Sequence, residues 1–195
     1  MNMKKAALRS LIIIIIAALS VVIGVSFQKI SVKIDKNSYS TEYSGFVEKY
    51  AAEYGVPEYV VYAVIKTESG FDSSLLSDDG KIGLMQVSPE LLKLYGGTLR
   101  DNYDTGMLYD PETNIKYGTY HLSMLYLRLG TWRSVFASMY IGEKTVEEWL
   151  CDENISDIGE NVKPKLRDIP DKDTAKYTKK LESVSEKYRE LYFEN

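Results

Sequence analysis

From Phe46 to Leu191 the apolar residues recur three and four positions apart, and this spacing restricts the fold more than any other feature. Phe46, Val47, Tyr50, Ala51 and Tyr54 share one helical face that ends at Gly55. Ile115, Gly118, Leu122, Leu125 and Leu129 form a second stripe, closed by Gly130. Trp132, Val135, Phe136 and Tyr140 make a third, and Tyr177, Leu181, Val184, Tyr188 and Leu191 a last one. Start and stop signals agree with the stripes. Ser88-Pro89-Glu90, Asp110-Pro111-Glu112 and Asp171 to Thr174 each offer a capping side chain at a helix start. Gly96-Gly97 is expected to close the short helix that begins at Ser88. Cys151 to Asp168 is polar with mixed charge and reads as a loop or insertion. No strand-rich run interrupts the pattern, so the expected fold class is all-α.

One helix carries an unusual ending. Val61, Val64, Ile65 and Glu68 fall on the same face of the run that follows Pro57, which places a carboxyl group on the stripe to be buried. Gly70 is the expected stop, so Glu68 lies in the last turn, where the helix dipole disfavours negative charge. Apolar neighbours and that dipole end both favour the protonated acid, the form that donates a proton. An isolated Glu at a helix end is most often solvated, and the residues after it make this one different.

The N-terminus bears on location. Lys4, Lys5 and Arg9 precede an uncharged run from Ser10 to Phe27, whose 18 residues span about 27 Å as a helix against roughly 30 Å of bilayer core. The expected organisation is a cytoplasmic tip at 1–9, a transmembrane signal-anchor at 10–27, a linker at 28–44 and a catalytic domain at 45–195. Basic residues before the run, and none after it until Lys29, put that domain outside the cytoplasm. A cleaved signal peptide with Gly24-Val25-Ser26 as its cleavage site is the alternative. Removing the three early cations from 24 basic residues leaves 21 against 28 acidic ones, a formal charge of −7, which argues against nucleic acid as a partner. Cys151 is the only cysteine, so no internal disulfide forms. Asp101, Gly106 and Glu112 match three positions of a calcium-binding loop, but Tyr103, Thr105 and Pro111 break it, and no metal or cofactor is expected.

Glu68-Ser69-Gly70-Phe71, Ser77, Gly80 and Gly83-Leu84-Met85-Gln86, with Pro89 beyond, together resemble the signature of the soluble lytic transglycosylase domain, a lysozyme-like fold. Two later blocks follow in the same order as in that family. Asp110-Pro111-Glu112-Thr113-Asn114-Ile115 with Gly118 and Leu122 is similar to its D-P-x-x-N-I-x-x-G-x-x-x-L helix. Ile169-Pro170 with Asp173-Thr174 and Tyr177 is similar to its I-P-x-x-E-T-x-x-Y segment.

The resemblance implies a peptidoglycan-cleaving enzyme in which Glu68 is the sole catalytic carboxyl group, acting first as acid and then as base. It implies substrate-binding roles for Ser77, Gln86, Tyr140 and Tyr177, with glycan strands as partner, while the N-terminal run makes the membrane the other expected partner. His121 stands where a Tyr is typical and is expected at the core or groove edge. One segment departs from the family. Ser138-Met139-Tyr140-Ile141-Gly142 replaces A-Y-N-A-G, so the phenol near the carboxyl group is either missing or supplied by Tyr140. Two other functions fit the same residues: a wall-binding protein without turnover, and a lysozyme-type hydrolase.

Overall fold

Short polar side chains open the helices where the sequence places them. In the computed structural model, which describes residues 19–20, 37–99, 104–159 and 162–194, the Asp110 carboxylate accepts the Thr113 amide at 2.9 Å. Asp171 does the same for Thr174 at 2.7 Å, and Thr131 for Ser134 at 3.2 Å. Each contact satisfies an amide that the first helical turn leaves without a partner. The elements run in order as α1 (Ser44–Tyr54), α2 (Glu58–Glu68), α3 (Pro89–Leu99), a 3₁₀ turn (Thr105–Tyr109), α4 (Pro111–Leu129), α5 (Trp132–Ile141), α6 (Glu143–Leu150) and α7 (Lys172–Tyr188). They belong to a compact unit, Thr41–Asn195.

α2 is the centre of that unit because it is apolar on nearly every side. Val60, Val61, Tyr62, Ala63, Val64 and Ile65 are each no more than 2% exposed. It packs against α7, which in turn packs against α5, while α1 lies against α4. Each buried Val or Ile side chain contributes about 1.5–3 kcal/mol relative to exposure. The helix that ends in Glu68 is therefore held by the core rather than by its own propensity.

The loop from Gly70 to Ser88 is fastened to α4 chiefly through Asn114, with the Thr119 hydroxyl also donating to the Met85 sulfur at 3.9 Å. Asn114 is fully buried; its carbonyl accepts the Met85 amide at 2.8 Å, and its amide nitrogen donates to the Ile82 and Leu108 carbonyls, both at 2.8 Å. Gly83 makes this approach possible. It adopts φ +76°, and a Cβ there would stand 2.4 Å from the Asn114 amide nitrogen.

Two expectations change. α3 runs on through Gly96 and Gly97 to Leu99. Tyr95 and Gly96 are buried and the Tyr95 ring meets Tyr120 of α4 edge-on, so tertiary packing outweighs the local glycine penalty. The polar stretch after Cys151 contains a two-residue antiparallel ladder, β1 (Ser156–Asp157) with β2 (Lys165–Leu166). It is too short to show alternation in sequence.

The expected span at 10–27 lies outside the described residues except for 19 and 20, which are helical, and the tip at 1–9 lies outside them entirely. No described helix is long and apolar enough to cross a membrane. Of the expected linker at 28–44, residues 37–44 are described, and Ser44 already opens α1.

Candidate active site

Glu68 is the last residue of α2, half-buried at the wall of a cavity of about 110 Å³. Five segments build that cavity. Val64 comes with Glu68 from α2, Lys81 and Met85 to Ser88 from the loop, Leu91 from α3, and Gly118, His121 and Leu122 from α4. Met139 of α5 completes it. Gly118 is required by contact, since a Cβ there would lie 2.5 Å from the Met85 sulfur.

The electrostatics follow from burial. Loss of water around Glu68 pushes its carboxyl above the ordinary carboxylate range. A hydrogen bond from the Tyr177 phenol opposes this most strongly, followed by the positive charges of Lys81 and Lys180, while Asp79 adds to the upward push. Burial, the charge of Glu68 and the shared hydrogen bond hold the Tyr177 phenol far above its usual range, so it remains a donor. The Tyr177 hydroxyl donates directly to Oε1 of Glu68.

His121 is neutral at ordinary pH. Burial, with help from nearby Arg128, lowers it to about 4. Its Nδ1 lies 3.1 Å from the Tyr95 hydroxyl. It stands at the groove wall, as its place on α4 suggests.

Glu68, Gln86 and Met139 meet at the cavity. Gln86 adopts φ +50°, and its amide nitrogen donates to the Gly83 carbonyl at 2.8 Å and to that of Leu75 at 3.3 Å. Those bonds fix its position within the loop. Ser77 does not line the cavity; its hydroxyl donates to Asp79 and accepts the Lys81 amide at 2.9 Å. Tyr140 is 51% exposed, and its ring centre lies 5.1 Å from that of Tyr177. The phenol on Glu68 thus comes from neither Met139 nor Tyr140 but from the last helix. Lys81 is a cavity residue that sequence reasoning passed over, because a Lys in a polar loop carries no spacing signal. Among the described residues no group of three or more His, Cys, Asp or Glu side chains could hold a metal ion.

A helical domain of this shape, with one desolvated acid beside a cleft, has the lysozyme-like fold of the lytic transglycosylases. Two solved structures share it. The 70-kDa soluble lytic transglycosylase of Escherichia coli matches with a TM-score of 0.69 at 24% identity, over 80% of this chain and 25% of that one. An inactive mutant of the lytic transglycosylase Slt of Pseudomonas aeruginosa matches with a TM-score of 0.68 at 22% identity, over 78% and 24%. The chain belongs to the transglycosylase SLT domain family, which it matches over residues 45–162. It is also 35% identical over 114 residues to membrane-bound lytic murein transglycosylase C of Yersinia pestis (strain Pestoides F) and of Yersinia pseudotuberculosis (serotype O:1b, strain IP 31758). Those matches cover 56% of this chain and 31% of each relative, so the chain spans under a third of their length.

Proposed function

We propose that the domain cleaves the β-1,4 bond between N-acetylmuramic acid and N-acetylglucosamine in peptidoglycan and leaves 1,6-anhydromuramyl ends. The observation that carries this reading is that Glu68, a desolvated carboxyl group, is the only acid lining the cavity among the described residues. Glycosidases that use water as the acceptor ordinarily need two carboxyl groups flanking the bond. A single acid suffices if the acceptor is the sugar itself. Glu68 would protonate the departing glycosidic oxygen, and the muramyl C1–O bond would break. The resulting carboxylate would take the proton from the muramyl C6 hydroxyl as that oxygen bonds to C1. Glu68 ends protonated, and no water is consumed.

Tyr177 supports both halves as a donor that steadies the carboxylate between the two steps. Gln86 at the cavity, Ser77 in the adjoining loop and Tyr140 beside Tyr177 are assigned to the glycan. The uncharged run at 10–27, with the word "membrane-bound" in the names of the two Yersinia relatives, supports an anchored domain facing the wall.

Mass analysis of wall digests tests the chemistry. Anhydro ends support the reading, reducing ends indicate a hydrolase, and no products indicate a binder. Glu68→Gln should lower cleavage by at least ~10²-fold, the smaller effect usual for a general acid–base group.

A further inference from the structure

Lys81 stands in the cavity wall with Glu68, and its charge reaches Glu68. Its backbone is fixed at both ends: the Lys81 amide donates to the Ser77 hydroxyl at 2.9 Å, and its carbonyl accepts the Ser77 amide at 2.9 Å. The side chain therefore leaves a rigid hairpin at a set point beside the acid. Its ammonium group is held by Asp79 at 3.0 Å, with the two side chains 41% and 60% exposed. An ion pair so open to water contributes little, and exchanging one carboxylate for another costs correspondingly little. A second carboxylate entering the cleft can take the place of Asp79.

We propose that Lys81 is a specificity residue that binds a carboxylate carried by the glycan strand and so seats the scissile bond at Glu68. This rests on the peptidoglycan reading above. Muramic acid carries a lactyl carboxyl group, which is free in strands stripped of stem peptides and amide-bonded where a peptide is attached. Stem peptides carry carboxylates of their own. Both sources present the same chemistry, and Lys81 provides a compact, flexible cation suited to it.

Binding separates this inference from the chemistry. In a Glu68→Gln background, affinities are measured by calorimetry for three strands: stripped, stripped with the lactyl group converted to a methylamide, and peptide-bearing. Lys81→Met should weaken a carboxylate-bearing strand roughly three- to tenfold and the methylamide strand less than about twofold. Loss confined to the stripped strand identifies the lactyl group, and loss confined to the peptide-bearing strand identifies the stem. Asp79→Asn, which frees the ammonium group, should tighten the same strand. Equal loss on all three strands, or no loss on any, overturns the role of Lys81 while leaving a lyase intact. Anhydro products from the Glu68 parent are scored separately, so failure of that chemistry is recognised on its own.

Discussion

The Tyr177 phenol donates a hydrogen bond to the Glu68 carboxyl group across 109 residues of chain. It joins the end of the central helix to the first turns of the last one, and the packing of α2 on α7 holds the two together.

Tyr177→Phe removes the strongest influence that lowers the Glu68 carboxyl, so the acid should hold its proton to higher pH. The alkaline limb of the kcat/KM profile, where the general acid is lost, should move upward. Turnover should also fall by about tenfold or more, since hydrogen bonds to charged groups contribute ~1.5–3 kcal/mol. A pH–rate series on defined glycan strands checks both. An unmoved alkaline limb would show that Tyr177 does not tune the acid.

The position of Glu68 was legible in sequence because helical period is local, and Val61, Val64 and Ile65 announced a buried face. Its partner was not. Nothing in the spacing of residues 172–188 says that Tyr177, rather than Tyr140, meets a carboxyl group from α2, because that pairing is set by how two helices cross. Gly96-Gly97 misled for a related reason: the burial of Tyr95 against α4 decides where α3 stops. The contacts of Ser77 were not legible either, for its hydroxyl bonds Asp79 and the Lys81 amide within its own loop.

Asn114 should be the costliest polar position to change. Asn114→Ala leaves the Met85 amide and the Leu108 carbonyl buried without this partner, while the Ile82 carbonyl keeps the Val87 amide at 3.0 Å. Each orphaned group costs about 1–3 kcal/mol, and because the losses overlap the total expected is roughly 3–5 kcal/mol. Urea unfolding should show a lower midpoint with an unchanged slope. A loss under about 1 kcal/mol would mean that the loop finds other partners.

His121 should make the fold sensitive to mild acid. Its ordinary value is 6.5 and the folded value about 4, so the unfolded chain takes up the proton first as pH falls. The stability present above pH 6.5 is therefore lost progressively down to about 4, by at most ~3 kcal/mol. His121→Gln keeps a polar group near the Tyr95 hydroxyl but does not titrate. The difference in unfolding free energy between parent and variant should change across that window and be flat above it. A difference that is constant from pH 4 to 7 would show that His121 titrates alike in both states.

Tyr140 and Met139 can be separated by two pairs of substitutions. Tyr140 lies beside the Tyr177 ring, and the hydroxyl on Glu68 belongs to Tyr177, so the ring of Tyr140 matters more than its phenol. Tyr140→Phe should keep turnover within about twofold, because the ring contact survives. Tyr140→Ala removes a contact of about 0.5–1.5 kcal/mol that steadies Tyr177, and turnover should fall roughly two- to tenfold. Met139 lines the cavity. A tyrosine there would restore the family's usual residue, and without Tyr177 on the acid the added phenol would be expected to raise turnover. With Tyr177 already bonded to Glu68, Met139→Tyr should instead give less than about a twofold gain. In the Tyr177→Phe background the same substitution should recover part of the lost rate, because the acid then lacks that donor. A large gain from Met139→Tyr in the parent, together with a loss from Tyr140→Phe, would mean that Tyr177 is not the phenol the reaction uses.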